Sequence, residues 1–160
     1  MPHPHLTLRA WTAGMILTVA IVLAACNRQT IYSHYQSIGS DGWSDKRMLL
    51  FDVDAVRDSA VYRELLEVRI TEAYPFTNLA LIVERRLKHS GLRYCDTLTV
   101  NITDADGHFS GQGTNHHLYH VPLPDVVLPK QEQMQVYVRH CMAQHTLPGV
   151  TDVGLTVIKK

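Results

Sequence analysis

Residues 96–113 read "DTLTVNITDADGHFSGQG". Leu98, Val100 and Ile102 alternate with Thr97, Thr99 and Asn101, and the apolar signal then stops in a cluster of Gly and Asp. Successive side chains on a strand point to opposite faces, so this alternation makes one face apolar and the other polar. The segment Asp104–Gly113 reads as a turn, because Gly and Asp supply the backbone conformations that turns need. A half-buried strand closed by a turn is the unit of an antiparallel sheet with one face on a core. The fold therefore depends on how often that unit recurs.

It recurs along most of the chain. Leu49, Phe51 and Val53 alternate with Leu50 and Asp52, and Leu66, Val68 and Ile70 with Glu67 and Arg69. "LALIV" (Leu79–Val83) is continuously apolar, as a central strand would be. Met134, Val136 and Val138 alternate with Gln135, Tyr137 and Arg139, and Val153, Leu155 and Val157 with Gly154 and Thr156. His117–Val121 reads as a less regular seventh strand. The separators "EAYPFTN" (Glu72–Asn78), "PLPDVVLP" (Pro122–Pro129) and "LPG" (Leu147–Gly149) are breaks, and the three prolines of the second exclude a central strand there. One segment, Asp54–Leu66, offers a helix with Asp58 or Ser59 as cap, but residues 61–70 also alternate, which favours a strand. The expected fold is all-β: a single antiparallel β-sandwich, immunoglobulin-like or jelly-roll-like, over residues 41–160.

The front of the chain follows different rules. "MILTVAIVLAACNRQT" (Met15–Thr30) is an apolar run that ends in two alanines and a cysteine and then turns polar. The run from Ala13 to Ala25 is short for a membrane span, which needs about 20 apolar residues. It suits the apolar region of a signal peptide, with Arg9 as its positive front and no acidic residue before Asp41. "LAAC" (Leu23–Cys26) resembles a bacterial lipobox. That resemblance implies cleavage before Cys26, a diacylglyceryl group on its sulfur and acylation of the new amino group. Residues 1–25 are then a signal peptide, and residues 26–40, polar with interspersed tyrosines, a lipidated N-terminus and tether leading into the domain. Several acyl chains hold a protein stably on a membrane.

Composition limits function. The 160 residues carry 15 basic and 15 acidic side chains, and only Arg9 leaves with the leader. Near-neutral overall, the chain is expected to have no electrostatic footprint for nucleic acid or for an anionic membrane surface. Beyond Cys26, Cys95 and Cys141 are an even pair in an exported chain. They form either a disulfide, if their strands are adjacent, or two free thiols.

No motif makes a positive case for catalysis or a cofactor. There is no G-x-S-x-G elbow, P-loop or dinucleotide fingerprint. "NHHLYH" (Asn115–His120) places His116 and His120 on one strand face and His117 on the other, without the Cys or carboxylate partners usual at zinc sites. A polar strand edge outweighs a metal site, and a thiol enzyme using Cys141 has no better support. "DADG" (Asp104–Gly107) opens like a calcium loop but lacks the closing Glu, so a hairpin turn is expected. Tyr32, Tyr35, Trp43, Tyr62, Tyr74 and Phe76 cluster in the tether and near turns. They either form a binding surface, as in a carbohydrate- or peptidoglycan-binding sandwich, or fold back as plugs; for each residue singly the plug is favoured.

"YQSIGSDGW" (Tyr35–Trp43), "YPFTNLALIV" (Tyr74–Val83), "DTLTV" (Asp96–Val100), "DADGHFSGQG" and "LPGVTDVGLTVIKK" (Leu147–Lys160), taken with the lipobox, resemble the gliding-motility lipoproteins of the GldH type from the Bacteroidetes. The resemblance implies a membrane-anchored, non-enzymatic component of a cell-envelope complex tied to motility and type IX secretion, with other envelope proteins as partners. Only the lipid-bearing cysteine carries over, onto Cys26. "NRQT" after it lacks the acidic residues that tend to direct such lipoproteins to the cell surface, so an outer-membrane site facing the periplasm is expected.

Overall fold

The structure, a computed structural model, describes residues 29–160. The leader and Cys26 lie outside the described residues. Eleven strands follow in chain order: β1 (Thr30–Ser37), β2 (Trp43–Ser44), β3 (Leu49–Val53), β4 (Ala60–Thr71), β5 (Asn78–Leu87), β6 (Arg93–Asn101), β7 (His116–Pro122), β8 (Val126–Leu128), β9 (Met134–His140), β10 (Thr146–Leu147) and β11 (Val150–Lys159). Every pairing is antiparallel.

One sheet runs β1-β11-β4-β7, with β8 also on β4, and the facing sheet runs β3-β9-β5-β6; β2 and β10 make a two-stranded ribbon at one end. The pairs nest. β5 pairs with β6, β4 with β7, β3 with β9 and β1 with β11, so the chain folds as a long ribbon doubled at the β5–β6 hairpin and rolled up. That wrapping is a jelly roll, which decides between the two sandwich types.

All seven expected strands are present. The helix reading of Asp54–Leu66 is not: β4 begins at Ala60, and its alternate residues Tyr62, Leu66, Val68 and Ile70 are almost fully buried. The three-proline segment supplies only the short β8, paired on one side to β4. The tether reading of residues 26–40 is corrected, because Thr30–Ser37 is an edge strand of the domain. Its inward positions, Tyr32, His34 and Gln36, lie opposite Val157, Leu155 and Val153, and only one of the three is a large hydrophobe. Main-chain pairing holds β1 in place, and the Gln36 side chain donates to the Leu50 carbonyl at 2.7 Å, stitching β1 to β3.

Two inner-face positions carry charge. Glu64 sits in the buried row of β4 and Arg85 in the buried row of β5, with side-chain exposures of 0% and 4%. Arg85 crosses between the sheets and donates to Glu64 Oε2 at 2.8 Å and to the Pro124 carbonyl at 2.9 Å. Its other terminal nitrogen pairs with Asp96 on β6, and its guanidinium lies 5.2 Å from the Tyr94 ring centroid. Burial pushes the Glu64 carboxyl up, Arg85 opposes that, and Asp96 adds to the rise.

Removing one partner of a buried pair leaves the other charge without compensation. Arg85→Met is expected to lose about 3–5 kcal/mol of stability, and the double change Glu64→Leu/Arg85→Met much less than Arg85→Met alone. Urea unfolding of the wild type, Arg85→Met, Glu64→Leu and the double variant checks this. A double variant as unstable as the sum of its singles would show that the pair does not act as a unit.

Candidate functional site

The aromatics split. Trp43, Tyr62 and Tyr74 are buried, which selects the plug reading for them. Each satisfies its polar atom on nearby backbone: Trp43 Nε1 on the Arg47 carbonyl at 2.9 Å, Tyr62 on Asp58 at 2.9 Å and Tyr74 on Asn78 at 2.8 Å. Tyr74 closes the end opposite Thr30 with its backbone pressed on Gly149. A Cβ there would lie 2.4 Å from Tyr74 N, and φ is +78°, so both space and backbone call for glycine. Trp43 packs edge-on against the buried His140, with ring centroids 5.5 Å apart. Burial holds that imidazole below its ordinary value.

The cysteines do not meet. Cys95 lies opposite Glu84 and Cys141 follows β9, while β5 separates β6 from β9. Two strand spacings put them about 10 Å apart across the sheet, beyond the roughly 7 Å limit for a bridge. Both are free and exposed, so the disulfide reading is corrected.

His116 and His120 share the exposed face of β7, as its alternation requires, while His117 points inward and stacks on Phe109 at 4.6 Å. His120 pairs with Glu67 at 3.2 Å. The "DADG" segment is a turn: Asp104 Oδ1 accepts from the backbone N–H groups of Asp106 and His108, each at 2.9 Å, and a Thr103–Phe109 bridge closes it. Asp104, Asp106 and His108 hold ligand atoms within 4.8 Å of one another, but all three are exposed and Asp104 already serves the turn.

The arrangement that sequence reasoning missed crosses the outer face of the first sheet. Register sets Tyr35, Gly154, Glu67 and His120 in one row over β1, β11, β4 and β7. Tyr35 lies flat over Gly154, where a Cβ would meet its ring at 2.6 Å, and Arg69 stacks on the same ring at 5.0 Å. Glu67 is 8% exposed beneath this cover. Its two oxygens face His120 Nδ1 and Thr156 Oγ1, the latter at 3.1 Å. Desolvation first, and the neighbouring Glu67 second, push the Tyr35 phenol up to about 12. At neutral pH the phenol stays protonated, so Tyr35 itself offers the row hydrogen-bonding and aromatic contact rather than a base. Gly154 inside an alternating strand was the available signal, since such a glycine marks close approach by another group.

Two open clefts mark the surface. One of about 460 Å³ lies between the edge strands β6 and β7, lined by Thr99, Asn101, Gln112 and His120 among others. The class is thus a small jelly-roll domain with one ion-pair network buried between its sheets and further polar constellations on its surface. The chain belongs to the GldH lipoprotein family, whose description matches residues 30–157. It is 27% identical to the gliding motility lipoprotein GldH of Flavobacterium johnsoniae over 164 residues, covering 96% of this chain and 99% of the relative. It is 24% identical to a GldH homolog of Christiangramia forsetii over 161 residues, covering 94% and 96%. Among solved structures, a carbohydrate-binding module specific for non-crystalline cellulose, CBM28, aligns at 13% identity and a TM-score of 0.47, covering 79% of this chain and 73% of that one. A likeness at that level carries no argument about ligands.

Two measurements test these surfaces. Gly154→Ala is expected to displace Tyr35 and lose about 1–3 kcal/mol, whereas in a Tyr35→Ala background the same change is neutral or stabilising, since alanine suits a strand better than glycine. Equal losses in both backgrounds would show that the ring does not depend on Gly154. For His140, the unfolded chain takes up a proton at about pH 6.5 while the folded imidazole resists. Stability is therefore lost as pH falls from there through the depressed folded value. His140→Phe is expected to flatten that part of the stability profile, read as urea midpoints at successive pH values.

Proposed function

We propose that the mature chain begins at an acylated Cys26 and that its jelly roll serves as a non-enzymatic component of a cell-envelope complex tied to gliding motility and type IX secretion. The supporting observation is the family match, which covers the folded domain from its first strand almost to the end of its last. The lipobox "LAAC" supplies the anchor, and "NRQT" after it favours the outer membrane with the domain facing the periplasm. The partners are other envelope proteins, and contact with them is the domain's task.

The surface suits contact. The ordered polar row across Tyr35, Glu67 and His120 presents groups fixed by four strands, a rigidity that lowers the entropy lost on binding. Glycan binding through aromatic loops loses its principal residues, since Trp43 and Tyr74 are core plugs.

Cys26→Ala is expected to move the protein from the membrane to the soluble fraction and abolish its task in cells, scored by fractionation and a motility or secretion assay. Full function from the soluble variant would overturn the anchored reading. Proteolysis of the domain by protease added to intact cells would overturn the periplasmic orientation.

A further inference from the structure

The chain between Cys26 and the domain is short. Only Asn27, Arg28 and Gln29 separate Cys26 from Thr30, a reach of at most about 14 Å even when extended. If Cys26 carries lipid, on which this inference rests, one end of the sandwich is confined to the membrane surface. That end holds the start of β1, the end of β11 and the start of β4, because Thr30 lies opposite Ile158 and Tyr62 opposite Lys159. The loops 54–59, 88–92 and 129–133 close it.

Those loops form one firm surface. The buried Glu132 carboxylate accepts from the backbone N–H groups of His89 and Ser90 at 2.7 and 3.0 Å. Its carbonyl accepts from Val56 N at 3.0 Å, and Gln131 N donates to the Val56 carbonyl at 2.7 Å. The hairpin, the β3–β4 loop and the β8–β9 loop are thereby tied together.

What this surface displays is not typical of the rest. Seven large hydrophobic side chains are exposed among the described residues, and five of them lie at this end: Ile31, Val61, Leu92, Tyr94 and Val127. Val127, 63% exposed, is the most open of all. Charge is lopsided as well. Lys88, Lys159 and Lys160 are paired with Asp52, Asp58 and Asp125. Arg57, Arg63, Arg93 and Lys130 form no ion pair among the described residues, and Asp54 is the remaining exposed carboxylate, so four unpaired cations face one anion. Arg57, Lys130 and His89 edge an open cleft of about 520 Å³ between the loops. The opposite end carries Asp41, Asp45, Glu72, Asp104 and Asp106 against Lys46 and Arg47.

Exposed apolar side chains ringed by cations are what an interfacial membrane contact presents: the first enter the headgroup–acyl boundary and the second meet anionic headgroups. We propose that this end of the jelly roll docks onto the anionic bilayer surface that the Cys26 lipid anchors it to. The domain then stands with its acidic end outward, rather than swinging on its linker.

The test uses the full lipidated protein in vesicles of phosphatidylcholine with and without phosphatidylglycerol. Flotation with the vesicles and the mass of the N-terminal lipopeptide first establish the anchor; an unlipidated Cys26 would overturn both readings at that step. A fluorophore is then placed either on Val127→Cys in a Cys95→Ser/Cys141→Ser background, or on the native Cys141 with Cys95→Ser. Quenching by brominated lipids is read for vesicle-bound protein only. The expected result is quenching at least threefold stronger at 127 than at 141, increased by phosphatidylglycerol and brought down to the 141 level by Arg57→Glu/Lys130→Glu. A label on Leu92→Cys should behave as the one at 127. Equal weak quenching at 92, 127 and 141 in lipidated protein would overturn the docking while leaving the anchor intact.

Discussion

The Glu64–Arg85 pair constrains this fold more than any single apolar contact. It brings two charges into the space between the sheets, where each survives only in the presence of the other. An inner-face arginine on β5 demands a carboxylate on the facing strand, which pins the β4–β5 register across the core. The same guanidinium reaches the Pro124 carbonyl and Asp96, so it also fixes the β7–β8 connection and the edge strand β6. An aliphatic pair would fill that volume without choosing between neighbouring registers. The charged pair, with its directional hydrogen bonds, tolerates little sliding.

Around that pin the jelly roll places its groups by what each end and face must do. One end is shut by Trp43, Tyr74 and His140, which makes that end part of the core. The other is shut by loops knitted through Glu132, which leaves apolar side chains facing out. The outer face of the first sheet is neither: it carries a polar row held flat by Gly154. A lipoprotein of the GldH family thus offers three chemically distinct surfaces on one small domain.

Much of this was legible. The strands with clean alternation could be read because burial on one face forces it, and the plugging aromatics could be weighed from their place at turns. Glu64 in "YRELL" and Arg85 in "IVERRL" even stand visibly at apolar-face positions. Their partnership could not be read, since it depends on how two sheets face each other. β1 was missed because its inward residues include His34 and Gln36, so backbone pairing rather than burial defines it. The separation of Cys95 from Cys141 required strand order, and the row through Tyr35, Gly154, Glu67 and His120 required register among strands up to 119 positions apart in the chain.

The doubled-ribbon wrapping also sets how the domain bears load. The first strand, β1, is held beside β11 at seven paired positions. Tension entering through Gln29, opposed by a grip on the far end, runs along the axis of β1. It pulls the strand lengthwise past its neighbour, so all seven positions resist together instead of opening one after another. A pull at right angles would peel the same strand pair by pair. The topology therefore makes the domain stiff to a pull along β1 and weak to sideways traction on that strand.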